Sequence, residues 1–231
     1  MSTILITGAN QGLGHETARR LIAAGHDVWI GARDEAAGRA AADELGGRFV
    51  ALDVTDDASV AAARDTIATQ VGHLDVLVNN AGISASRRAV LDTQPDELAD
   101  ILQTNVIGPV RTTLAFRDLL NASDNPVVVN VSSSLASLTE TTTPGSPRAA
   151  YDGLDYPASK TALNMVTIKL ANALPRYRVN SVAPGFTATA LNDFAGHRTV
   201  QEGAEVIVQA ATLAPDGPTA SFFDDQGPVA W

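Results

Sequence analysis

Thr3-Ile4-Leu5-Ile6-Thr7 runs without a break into Gly8-Ala9-Asn10-Gln11-Gly12-Leu13-Gly14, and the fold turns on this junction. The first five residues are apolar or β-branched, the composition of a strand covered on both faces. A helical pattern follows from His15 to Ala24 and stops at Gly25. Strand, glycine-rich turn and helix in that order form a cradle for a pyrophosphate. The glycines let the backbone approach closely, and the helix N-terminus offers unpaired N–H groups at its positive dipole end. Gly8, Asn10, Gln11, Gly12, Leu13 and Gly14 are therefore candidate cofactor contacts.

Working outward, Asp27 to Gly31 reads as a second strand. In dinucleotide folds the end of that strand faces the adenosine ribose. An acid there bonds the 2′-hydroxyl, whereas an arginine accommodates a 2′-phosphate. Here Ala32 and Arg33 precede the first acid, Asp34, which favours NADP(H) and leaves NAD(H) possible. Glu35 to Leu45 is helical, Arg48 to Leu52 a third strand, and Asp53-Val54 is placed to meet the adenine, Asp53 by its carboxylate and Val54 by packing. After a helix from Asp56 to Val71, a fourth strand (Leu74 to Val78) delivers Asn79-Asn80-Ala81-Gly82, small enough to leave room for ribose and nicotinamide.

A polar loop, Ser84 to Thr93, leads to Pro95, which opens a long helix to about Leu120 carrying Asn105 at its middle. An amide there is locally unfavourable, because it competes for backbone bonds. Pro126 to Val131 is a fifth strand ending in Ser132-Ser133-Ser134; Tyr177 to Val182 is a sixth, ending in Ala183-Pro184-Gly185. Residues 134–155 form a Thr-, Pro-, Gly- and Ser-rich insertion, and 190–213 a small lid and an amphipathic helix. The end, from Ser221 to Trp231, gives one last strand and a tail. About seven strands alternating with helices predict a single-domain, doubly wound α/β fold of Rossmann type, a parallel sheet with helices on both faces. Right-handed crossovers bring every strand's C-terminal end, and so every motif, to one edge.

Composition narrows the function. With 16 Lys+Arg against 26 Asp+Glu the net charge is −10, which argues against nucleic acid and anionic membrane as partners. There is no cysteine, and the four histidines show no ligand spacing, so no metal site is expected. The chain enters Ile4-Leu5-Ile6 without a basic leader and has no apolar run near 18 residues, so a cytoplasmic location is expected.

The chemistry sits in Tyr156-Pro157-Ala158-Ser159-Lys160. Pro157 suits a first helical turn, and four-residue spacing puts Tyr156 and Lys160 on one face. A phenol with pKa about 10 is a poor acid–base group at neutral pH. A neighbouring ammonium is expected to pull that value down, toward the efficient range.

Taken together, Thr7-Gly8-x-x-x-Gly12-x-Gly14, Asn79-Asn80-Ala81-Gly82, Asn105, the serine triplet, Tyr156-x-x-x-Lys160 and Pro184-Gly185-x-x-x-Thr189 resemble the short-chain dehydrogenase/reductase superfamily from Thr3 to at least Thr189. The resemblance implies an NAD(P)-dependent enzyme moving hydride between nicotinamide and a small carbonyl or alcohol. It makes Tyr156 the acid–base residue and Lys160 its partner on the nicotinamide ribose. Ser133 becomes the residue bonding the substrate oxygen, with Ser132 or Ser134 as alternatives one register away. By the same resemblance, Asn105 would hold a water leading from Lys160 to solvent. Asn80, Ala81 and Gly82 would border the adenine ribose, and Thr187 and Thr189, with Pro184 and Gly185 beside them, would hold the carboxamide and pyrophosphate.

Two departures matter. Ser133 and Tyr156 stand farther apart than in many members, and the extra segment resembles a shortened insertion of the monomeric carbonyl reductases. Gln11 stands where many NADPH-using members carry a basic residue. The insertion lies before the helix many members use to dimerise, so monomer and homo-oligomer both remain open. The substrate pocket is expected from Ser84 to Arg88, Leu135 to Asp155 and Leu191 to Arg198, with Leu135, Leu154, Leu191 and Phe194 suggesting a partly apolar wall.

Overall fold

The computed structural model describes residues 1–84 and 88–231, so Ala85, Ser86 and Arg87, part of the expected pocket wall, lie outside the described residues. Strands β1 (Thr3–Thr7), β2 (Asp27–Ala32), β3 (Arg48–Ala51), β4 (Val76–Asn79), β5 (Val127–Val131), β6 (Arg178–Val182), β7 (Phe222–Asp224) and β8 (Gly227–Pro228) form one sheet in the order β3-β2-β1-β4-β5-β6-β7-β8. All pairs are parallel except β7 with β8. The order reverses between β1 and β4, which opens a crevice at the C-terminal ends of those strands.

Successive side chains of β1 point to opposite faces. Ile4 and Ile6 join Leu21 of α1 (Gly12–Ala23) and Val206 and Ile207 of α9 (Val200–Ala211) in one core layer. Leu5 joins Trp29, Leu77 and Ile67 of α3 (Asp57–Gln70) in the other. Helix α2 (Glu35–Leu45) completes the nucleotide half. Among the described residues no helix is long and apolar enough to cross a membrane.

Three expectations are corrected. The end of the chain makes two strands, because the Asp224 carboxylate accepts the Gln226 and Gly227 N–H groups and closes a tight turn into β8. The insertion is partly ordered: Ser137 caps a short α7 (Leu138–Thr142), accepting the Glu140 N–H at 3.0 Å. The long helix from Pro95 is broken into α4 (Pro95–Leu102), a π turn (Gln103–Ile107), α5 (Gly108–Ala115) and α6 (Arg117–Asn121). Pro109 has no N–H to give the Asn105 carbonyl, so the α-helical bond at that point is missing. Helix α8 spans Asp155–Ala173.

Candidate active site

The cofactor cradle is built largely from backbone. Gly8 and Gly12 take φ of +64° and +57°, the left-handed region that glycine enters without strain. A side chain at Gly14 would meet Asn80 Nδ2 at 2.5 Å and the Gly8 carbonyl at 2.6 Å, so α1 can dock only without one. Gln11 gives α1 no side-chain cap, and no acid sits in its first turn. The N-terminal N–H groups are thus left to an anion, and the residues present fit a dinucleotide pyrophosphate. Across the cradle, the Thr189 methyl lies 3.6 Å from where a Gly12 side chain would start.

Thr7 has a role that the motif alone did not reveal. Its hydroxyl accepts the Asn80 and Ala81 N–H groups at 3.0 and 2.9 Å, while Asn80 Nδ2 donates to the Thr7 and Gly8 carbonyls. These bonds lock the glycine turn to the end of β4, and they commit both amide protons of Asn80 to the turn. A threonine closing β1 was the available signal.

On the adenosine side, Asp34 is used as the cap of α2, accepting the Ala37 N–H at 2.9 Å. Exposed Arg33 makes no hydrogen bond or ion pair among the described residues. Asp53 stays below the usual carboxylate range: burial pushes it up, but bonds from Thr55 and the charges of Arg33 and Arg111 outweigh that. Val54, expected to pack on adenine, is buried in the core against Gly108, which leaves little of its side chain for a ring. Thr187 is likewise occupied, its hydroxyl donating to the Pro184 carbonyl at 3.2 Å. Leu13 packs on the core, Asn10 is partly buried, and Gly185 is exposed.

Ser133, Tyr156 and Lys160 come together where β5 meets α8. Lys160 is 4% exposed, lies 5.6 Å from the Tyr156 ring centroid, and donates to the Val131 carbonyl at 2.8 Å. The Ser133 hydroxyl interacts with the Tyr156 phenol and favours its ionisation, but burial dominates and pushes the phenol up to about 12. Burial also brings the Lys160 ammonium down to about 8. This corrects the expectation of a phenol lowered by its lysine. The ammonium lies 5.6 Å from the ring centroid, and desolvation penalises both charged forms.

Asn105 does not bond its own helix. Its amide grips the Ile83 main chain in both directions, at 2.9 and 2.8 Å, and donates to Ser159 Oγ at 3.0 Å. Both amide protons are used, and the remaining acceptor capacity faces Gly82. A side chain on Gly82 would sit 3.3 Å from Asn105 Oδ1 and 3.5 Å from Lys160 Nζ, so its absence keeps a small polar space between those groups open. Neither Pro109 nor Ser159 was singled out from sequence.

The loops around this centre carry apolar surface: Ile83, Leu154, Phe186, Leu191 and Phe194 are exposed, and Leu135 is partly buried. The segment before α9 is pinned by Arg198, which bonds both oxygens of Asp225 at 2.8 Å. The insertion is tied down by Arg148 on Ser134 and by Asp152 on the Val90 N–H, both at 3.3 Å.

The profile of the short chain dehydrogenase family matches residues 2–200. A (+)-neomenthol dehydrogenase from Capsicum annuum is 30% identical, with 95% of this chain and 94% of that protein covered. The structure of salutaridine reductase from Papaver somniferum superposes with a TM-score of 0.83 at 28% identity, covering 97% of this chain and 100% of that one. NADPH-bound carbonyl reductase from chicken fatty liver gives a TM-score of 0.86 at 25% identity, covering 100% and 99%. With the family profile matched over most of its length, the chain belongs to the short-chain dehydrogenase/reductase family as an NAD(P)-dependent oxidoreductase.

Proposed function

We propose that the protein is an NADPH-dependent reductase of small ketones or aldehydes in which Tyr156 gives the proton. The observation that carries this reading is the burial of Lys160 beside Tyr156, with Ser133 against the phenol. A lysine in the interior is costly unless it serves the chemistry there. Reduced nicotinamide supplies the hydride when bound. Ser133 and Tyr156 supply two hydroxyls to one oxygen, where negative charge grows, and their bonds strengthen as the transition state forms. A phenol held up to about 12 stays protonated through the neutral range, as a proton donor must. Lys160 and Asn105 flank the space beside Gly82, where a water would link the site to bulk.

The phosphate preference rests on Arg33 being uncommitted while Asp34 is spent on α2. Gly8, Asn10, Gln11, Gly12, Leu13 and Gly14 would hold the pyrophosphate. Asp53, Asn80, Ala81 and Gly82 would border the adenosine, with Pro184, Gly185 and Thr189 closing the nicotinamide end. Fluorescence titration with NADPH and NADH tests the preference. Arg33→Ala should weaken NADPH roughly 10–100-fold, the worth of a charge-assisted bond, and leave NADH unchanged. Equal weakening of both, or of neither, would make Arg33 a surface residue and turn attention to NAD-linked alcohol oxidation.

A further inference from the structure

Four consecutive residues at the end of β5 each meet α8. Asn130 Nδ2 donates to Thr167 Oγ1, the Val131 carbonyl accepts from Lys160 Nζ, and Ser132 Oγ donates to Asn164 Oδ1, each at 2.8 Å. Ser133 then interacts with Tyr156. Positions 156, 160, 164 and 167 share one helix face. The joint is buried: Asn130, Ser132 and Thr167 are 0–2% exposed, and Asn164 is 3% exposed.

Asn164 stands out because it does less for the fold than its burial costs. Its Nδ2 has no partner among the described residues, and a buried donor left unsatisfied opposes stability. A leucine of similar size would suit an interior helix face better. What the amide does do is hold Ser132, whose N–H is fixed on the other side by the Val182 carbonyl at 2.8 Å. Ser132 is thereby held by both side chain and main chain, and Ser133 is the next residue. Reacting groups misplaced by about 1 Å lose about two orders of magnitude in rate, so this is a position where orientation outweighs stability.

We propose that Asn164 is a positioning residue: by anchoring Ser132 to α8, it keeps Ser133 in register with Tyr156. The proposal rests on the site assignment above, and its test separates the two. The variant Ser132→Ala/Asn164→Leu removes both partners together and so creates no new orphan. Tyrosine labelled at 13Cζ reports each phenol by NMR, with Tyr156→Phe identifying the Tyr156 resonance and Ser133→Ala giving its full displacement. The expected result is that the double variant melts no lower than the native protein. Its Tyr156 resonance moves in the same direction as in Ser133→Ala, and at least half as far. Thr167→Val, which cuts the neighbouring bond, should leave that resonance in place. A native Tyr156 resonance in the double variant, while Ser133→Ala displaces it, overturns the proposal; so does an equal displacement from Thr167→Val. If Ser133→Ala itself moves nothing, Ser133 does not contact Tyr156 and the site assignment falls first. Should the double variant not fold, Ser132→Ala alone, which only deletes a hydroxyl, gives the same readings.

Discussion

On one side of the strand reversal, β1 and β2 bury Ile4, Leu5, Ile6, Val28, Trp29 and Ile30; on the other, β4, β5 and β6 bury Asn79, Asn130, Asn180 and Ser181. Asn79, Asn130 and Ser181 belong to one continuous interior network, while the Asn180 amide bonds the Pro218 carbonyl and the Ser221 N–H. Asn79 bonds Asn130 at 2.8 Å, Thr112 bonds Asn79 at 2.7 Å, and Thr167 joins Asn130 to Ser181. The contrast follows from what each half has to hold. A pyrophosphate is met by main-chain N–H groups, whose positions follow from a largely apolar packing of strand and helix once the Thr7 hydroxyl and the Asn80 amide have tied the turn to β4. Catalytic hydroxyls sit on side chains, and only directional bonds behind them fix their geometry.

The largest way to break this contrast is Tyr156→Phe. Turnover should fall roughly 10²–10⁴-fold, the share of a general acid, while NADPH titration remains native. Loss of binding together with turnover would mean that the halves are not separable.

Next comes the pH dependence of stability. The Lys160 amine, held at about 8 instead of its ordinary 10.5, binds its proton more weakly in the folded chain. Between those values the unfolded chain keeps a proton that the folded chain has shed, so stability should rise with pH from about 8 upward. The Tyr156 phenol, held up to about 12, acts in the opposite sense once pH exceeds 10. Lys160→Met should therefore raise stability at neutral pH, on the order of 3 kcal/mol, and flatten the rise above pH 8. Urea midpoints across that range measure both; a variant with the native slope would place the titration elsewhere.

A smaller effect sharpens the other side. Gly14→Ala puts a methyl onto the Gly8 carbonyl and Asn80, which should cost about 1–3 kcal/mol by overpacking. Binding of NADPH should weaken because the turn shifts, and the NMR signature of Tyr156 should stay native. A displaced Tyr156 resonance would show strain crossing the reversal.

Much of this was legible in the chain itself, for reasons that differ by residue. Thr3 to Gly14 announces strand, turn and helix because composition and conformational demand coincide there. The spacing of Tyr156 and Lys160 fixes their shared face because helix geometry is local. The broken helix at Asn105 was half legible: Asn105 and Pro109 are visible in sequence, but the amide's partner, Ile83, is 22 residues away. The pairing of the chain end into β8 and the capping of α7 depend on single side chains, which periodicity does not register.

By itself, the sequence determined the sheet, the edge on which the motifs gather and the family to which the chain belongs, since those follow from local propensity and from the handedness of crossovers. The tertiary structure decided which groups are charged and which are committed. Asp34 is spent on a helix end, Asn80 and Thr187 on their own turns, and Asn105 on Ile83. Lys160 donates a hydrogen bond to the Val131 carbonyl while burial lowers its affinity for its proton. Desolvation and hydrogen-bond partnership depend on residues distant in the chain, and no spacing rule carries that information.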